Sequence, residues 1–129
     1  MRPDLLGPLR SMVEAEGLGI RVAGVCMEPR VADGARVHLS PGRVYWPGDV
    51  VAFVGGAGRL VAHRLIGYRP ERGGLRLWTQ ADAASRPDAP IPRRLVLGRL
   101  ETPVSIADRA RAMRAMARHL VSRLRARWR

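Results

Sequence analysis

Short apolar runs, divided at close intervals by glycine, proline and aspartate, fill most of the chain between residues 19 and 100. Runs of this length are typical of strands, whereas helices need longer periodic segments. The dividing segments carry glycines that supply the positive φ angles of tight turns. The predicted strands cover residues 20–25, 35–39, 49–54, 59–67, 74–79 and 95–100. Several short strands at this spacing predict a mainly β fold with a curled sheet or partial barrel.

A helical pattern borders this β region on each side. Residues 4–16 place apolar side chains on one helical face and stop at Gly17, which predicts a short N-terminal helix. Residues 105–128 carry apolar residues at steps of three and four, which predicts a longer amphipathic helix. The expected parts are an N-terminal helix at 1–18, a β domain at 19–102 and a basic C-terminal helix at 103–129.

Positive charge is concentrated in the C-terminal helix. All 23 basic residues of the chain are arginine, and the formal net charge is +12. Residues 103–129 hold eight of these arginines and a single acidic residue, Asp108. An arginine side chain stays protonated at any working pH, so a catalytic lysine base is excluded. The excess of positive charge indicates an anionic partner.

Three interpretations of the basic helix are open. Its apolar stripe could pack on the β domain while the arginines face water. The stripe could instead lie on an anionic membrane, with the arginines among the headgroups. The helix could also bind nucleic acid or an acidic peptide, which we regard as the weakest of the three. The stripe consists of Ile106, Ala110, Met113, Ala117, Leu120, Leu124 and Trp128.

The sequence predicts a cytoplasmic protein, peripheral to the membrane if its basic helix binds lipid. Its one cysteine, Cys26, cannot form an intramolecular disulfide, so no oxidising compartment is required. No apolar run approaches the roughly 18 residues that span a bilayer. The N-terminus lacks a basic region followed by an apolar run, so no secretory signal is expected. We expect neither a cofactor nor a metal ion.

Four segments contain residue types suited to catalysis. They are GVCMEP at 24–29, PGDVVAF at 47–53, AHRLIG at 62–67 and TQADAASRPD at 79–88. Taken alone, each has a structural interpretation. A lone cysteine is usually a small buried hydrophobe, a histidine in an apolar run is usually a packed core residue, and loop aspartates commonly cap turns. The order and spacing of the four segments together favour a functional interpretation.

Together these segments, over residues 19–101, resemble the signal peptidase I and LexA-type family of serine endopeptidases. In that family the second serine of a Ser-Gly-Ser-Met-x-Pro segment is the nucleophile. A Pro-Gly-Asp-Val-Val strand, the general base and a Gly-Asp segment follow in that order. Cys26 stands at the position of the nucleophilic serine, and Met27 and Pro29 match the residues after it. The resemblance implies the curled β fold of that family's catalytic domain.

The general base distinguishes two branches of this family. One branch uses lysine, whereas the branch of the endoplasmic reticulum and archaea has a His-Arg dipeptide, which His63 and Arg64 resemble. On that match Asp88 falls on the catalytic aspartate, and Asp82 falls on an earlier, more structural one. The resemblance implies that Cys26 attacks a peptide carbonyl, His63 moves the proton and Asp88 orients the imidazole.

The nucleophile segment departs from the family at two positions. The family's first serine, whose hydroxyl often helps hold the oxyanion, is Gly24 here, and the following glycine is Val25. The backbone N–H of Cys26 is therefore expected to stabilise the oxyanion. The implied function is a soluble endopeptidase that cleaves a peptide or protein precursor, such as one with a leader. The alternatives are a catalytically silent, peptide-binding family member and a basic membrane or nucleic-acid adaptor.

Overall fold

The computed structural model describes residues 18–21, 36–40, 44–55 and 60–128. The predicted N-terminal helix at 4–16 lies outside the described residues, and so does Cys26.

Within the described residues, seven strands form one antiparallel sheet, and one long helix follows them. The elements are β1 (Leu18–Arg21), β2 (Arg36–Ser40), β3 (Val50–Val54), β4 (Leu60–Glu71), β5 (Gly74–Gln80), β6 (Ile91–Pro92), a 3₁₀ turn (Arg93–Leu95), β7 (Val96–Leu100) and α1 (Ile106–Arg127). The strand order is β1-β2-β7-β3-β4-β5-β6, with β1 and β6 at the two edges. The mainly β prediction is confirmed, and the described sheet is open at its edges rather than closed into a barrel.

The β4–β5 hairpin is longer than its apolar pattern predicts. Its pairing continues from the core out to Glu71 and Gly74, beyond the predicted end at residue 67. The chain reverses through Gly73 and Gly74, whose φ angles are 91° and 125°. A Cβ at either glycine would meet nothing within 4 Å, so the positive φ rather than a lack of space requires glycine here. The outer half of the hairpin is polar, so this part of β4 shows no apolar alternation by which a strand could be predicted.

Each face of the sheet contributes side chains to a different hydrophobic core. Alternation along β5 places Leu77 in one core and its neighbour Trp78 in the other. The first core holds Tyr45, Val51, Phe53, Leu65, Leu77, Ile91 and Val96. The second core forms where α1 covers the sheet and holds Ile66, Trp78, Ala112 and Ala115, with Met116 packed against them. The sheet thus has a helix-covered face and an opposite face.

Contacts at the start of α1 fix the helix to the turn before β3. Ser105 and Asp108 form a reciprocal capping box, with both backbone-to-side-chain hydrogen bonds at 3.0 Å. From the next residue, the Arg109 guanidinium reaches the Asp49 carboxylate at 3.2 Å and donates to the Pro47 carbonyl at 3.1 Å. The helix therefore begins beside the turn that leads into β3. No described helix is both long and apolar enough to cross a membrane.

Candidate active site

The His63 side chain lies on the face of the sheet opposite α1. Strand alternation places it between Val61 and Leu65, which belong to or pack against the first core. Its partner in the β3–β4 register is Val51. The His63 ring meets the Phe53 ring edge to face, with the centroids 5.9 Å apart and an interplanar angle of 76°. The His63 side chain is 13% exposed, so packing holds the ring while part of it still reaches the surface.

The loop between β5 and β6 brings a carboxylate to this ring. The Nδ1 of His63 lies 2.6 Å from the Oδ2 of Asp88. The same carboxylate oxygen accepts a hydrogen bond of 2.7 Å from the hydroxyl of Thr79, which is fully buried. The backbone N–H of Asp88 also donates to the Thr79 carbonyl at 2.8 Å. Asp88 is thus fixed through its backbone and its side chain.

This arrangement selects one tautomer of the neutral imidazole. An ionised carboxylate only accepts hydrogen bonds, so the Nδ1 of His63 must carry a hydrogen and act as the donor to Asp88. The Nε2 of the ring is then left with a lone pair. An imidazole held in this way can accept a proton at Nε2 and later donate it, and the carboxylate stabilises the imidazolium formed in between.

The next residue of β4 binds the other aspartate of the loop on the helix-covered face. Arg64 donates to both carboxylate oxygens of Asp82 at 2.8 Å and to the Gly48 carbonyl at 2.7 Å. This pairing with Asp82 raises the pKa of Arg64 further despite its burial. His63 and Arg64 therefore anchor one loop from both faces of the sheet, because successive side chains of a strand point to opposite faces.

A basic groove lies between the β5–β6 loop and the second half of α1. It has a volume of about 640 Å³, and the residues that line it include Arg69, Trp78, Arg86, Asp88, His119 and Arg123. The Nε2 of His119 lies 2.8 Å from the Oε1 of Gln80. Burial, and secondarily the charge of Arg118, lower the pKa of His119. The groove thus includes Asp88 together with residues of α1.

The structure brings together two of the three side chains predicted to be catalytic, His63 and Asp88. Cys26 lies outside the described residues, and Asp82 binds Arg64 on the opposite face. Thr79 was missed at the sequence level because a threonine in a strand is already explained by β propensity. Among the described residues, no three His, Cys, Asp or Glu side chains converge as metal ligands.

No protein-family model matches the chain, and a comparison with curated proteins finds no match. The geometry of the His63, Asp88 and Thr79 side chains is therefore the main basis for inferring a function.

Proposed function

We propose that the chain is an endopeptidase of the signal peptidase I and LexA type. Cys26 is the nucleophile, His63 is the general base and acid, and Asp88 orients the imidazole. The observation that supports this most strongly is the 2.6 Å contact between the His63 Nδ1 and the Asp88 carboxylate. The two residues are 25 positions apart in the chain, and each occupies a position of a family-like motif.

The surroundings of the pair favour a functional histidine over a core histidine that only needs a partner. A buried ring nitrogen can be satisfied by a neighbouring backbone carbonyl. Here the partner is a carboxylate that is 31% exposed, and the Thr79 hydroxyl orients it in turn. Nucleophilic catalysis uses a base that is oriented by a third group, and here Asp88 orients His63 while Thr79 holds Asp88 in place.

The proposed reaction has two stages. The Cys26 thiol gives its proton to the Nε2 of His63, and the thiolate attacks the peptide carbonyl carbon. The tetrahedral oxyanion is stabilised by the backbone N–H of Cys26. The carbon–nitrogen bond then breaks, His63 protonates the departing amine, and a thioester remains. Water, deprotonated by His63, attacks the thioester and releases a carboxylic acid and the free thiol.

The proposed substrate is a peptide or protein precursor that binds in trans, such as one bearing a leader. This substrate class comes from the family resemblance alone. A silent, peptide-binding member of the same family is the competing proposal, and the experiment is designed to separate the two.

The test is cleavage of a peptide library by the unaltered protein and by the Cys26→Ala and His63→Ala variants, read by mass spectrometry. We expect cleavage by the unaltered protein that is lost in both variants. His119→Ala is the matched control, because this histidine lies on the opposite face beside Gln80, and it should leave cleavage intact. Cleavage that persists in Cys26→Ala would contradict the proposed nucleophile.

Thiol alkylation tests the pairing of Cys26 with His63 without any substrate. At about pH 6, where an ordinary thiol is almost wholly protonated, we expect iodoacetamide to modify Cys26 readily, and much more slowly in His63→Ala. Equal alkylation rates would argue against an interaction between the two side chains. Fast alkylation without cleavage of any peptide would favour the silent, peptide-binding alternative.

A further inference from the structure

The helix α1 packs on the sheet through a different face from its apolar stripe. Its buried residues are Asp108, Ala112 and Ala115, and Met116 packs against the same core. Gly67 of β4 allows this close approach, because a Cβ at that position would collide with the sulfur of Met116. The helix face that meets the sheet is therefore built mainly from small side chains.

The large apolar side chains of α1 point away from the sheet. At about 100° per residue, the stripe centred on Met113 and Leu124 lies on the side of the helix opposite Ala112 and Ala115. Its large exposed members are Ile106 (88%), Met113 (60%), Leu120 (37%), Leu124 (54%) and Trp128 (88%), and Val121 (47%) lies beside them. These side chains form one continuous row along the helix, whereas exposed apolar residues on ordinary surfaces are scattered singly.

Arginines flank this row on both sides. By the same angular spacing, Arg114, Arg118 and Arg125 follow one flank and Arg127 lies on the other, whereas Arg123 falls on the side of the sheet-facing residues. Asp108, the single acidic residue of the helix, is buried in the capping box. The outward half of α1 thus presents an apolar centre between cationic margins.

We propose that α1 lies in the interface of an anionic lipid bilayer, with its outward stripe among the upper acyl chains. The flanking arginines meet the lipid phosphates, since their long stems can extend sideways to the headgroups. Nucleic acid would satisfy the arginines but would leave the Met113–Trp128 row facing water. Because the stripe faces away from the sheet, the β domain does not obstruct a helix that lies flat on the membrane. This proposal does not depend on peptidase activity.

The first test is sedimentation of the full chain with phosphatidylcholine vesicles that contain or lack phosphatidylglycerol. We expect strong binding to the anionic vesicles and little to the neutral ones. In Leu120→Gln/Leu124→Gln, which keeps good helix formers in place, binding should weaken about tenfold for each leucine. Leu75→Gln is the matched control, since Leu75 is 65% exposed but lies on the β4–β5 hairpin, and it should bind like the unaltered protein.

Arg114→Gln/Arg118→Gln tests the cationic margin. Each arginine near an anionic surface contributes about fivefold to partitioning, so the pair should weaken binding about 25-fold. Circular dichroism of every variant verifies that the helix is intact. The proposal would be overturned if the leucine variant binds anionic vesicles as strongly as the Leu75→Gln control does. It would also be overturned if the unaltered protein does not bind anionic vesicles. Nucleic acid would be identified as the partner instead if the protein binds duplex DNA at physiological salt, if the leucine changes leave that binding unaffected, and if the protein does not bind vesicles.

Discussion

Replacing Asp88 by asparagine tests the proposed catalytic geometry most directly, because the change preserves shape and removes charge. The Thr79 hydroxyl and the Nδ1 of His63 both contact the Oδ2 of Asp88, at 2.7 and 2.6 Å, so a single group of the asparagine side chain would meet both. If the asparagine oxygen takes the Oδ2 position, the Nδ1–H tautomer is kept but the charge that stabilises the imidazolium is lost. If the amide nitrogen takes it, the Thr79 hydroxyl accepts and the Nδ1 of His63 meets a donor. A donor there favours the tautomer that carries its proton on Nε2, which cannot act as a base.

The expected loss is large in activity and small in stability. Trapping a catalytic histidine in the wrong tautomer costs up to about 10⁴-fold in turnover, and we expect a fall of about 10²- to 10⁴-fold here. That range corresponds to about 3–5 kcal/mol of transition-state stabilisation. The free energy of unfolding should fall by only about 1 kcal/mol, because the carboxylate is 31% exposed and water can replace part of its interaction.

The assay compares kcat/KM for a cleaved peptide with the midpoint of urea unfolding for the same variants. Asp82→Asn is the control, because it weakens the Arg64 pair and lowers stability while leaving the His63 tautomer alone. If Asp88→Asn retains cleavage within about twofold while its urea midpoint is nearly unchanged, the orienting role of Asp88 is refuted. A loss of cleavage equal in the two variants would point to the loop as a whole rather than to the tautomer.

Three further changes follow from the described contacts. Thr79→Val should lower turnover about tenfold, because the Asp88 carboxylate loses its hydroxyl donor. Peptide cleavage and urea unfolding of this variant are both measured. Gly67→Ala should lower the free energy of unfolding in urea by about 1–3 kcal/mol through overpacking against Met116, and Met116→Ala in the same chain should restore part of it. Burial lowers the pKa of His119 in the folded protein, so the unfolded chain binds a proton more readily than the folded one. The free energy of unfolding should therefore fall as the pH drops below about 6.5. In His119→Gln, melting curves recorded across this pH range should show a smaller fall.

Periodicity predicted three of the strands and α1 closely, the outer half of β4 not at all, and the shortest strand not at all. The strands at 49–54, 74–79 and 95–100 agree with the observed β3, β5 and β7 within a residue or so. The two-residue strand Ile91–Pro92 escaped prediction because two residues show no alternation and proline lacks a backbone N–H. The position of this short strand beside β5 depends on the preceding loop, which also carries Asp88.

The candidate site was predictable in part from the order of its motifs. His63 and Asp88 each occupy a family-like position, so the resemblance predicts the contact between them that the structure describes. The part played by Thr79 depends on the antiparallel return of the loop beside β5, which places the backbone of residue 88 against that of residue 79. No local signal marks a strand threonine as the orienting group of a carboxylate.

The amphipathic nature of α1 was determined by the sequence itself, because a helical repeat is a local property of the chain. Only the tertiary structure decided which side of the helix meets the sheet. The small Ala112 and Ala115 pack with Ile66 and Trp78, and Met116 lies against Gly67, whereas the bulkier stripe around Met113 and Leu124 is turned outward. Packing of this kind depends on the shape of a surface assembled from residues distant in the chain, so hydrophobic periodicity alone could not identify the packed face.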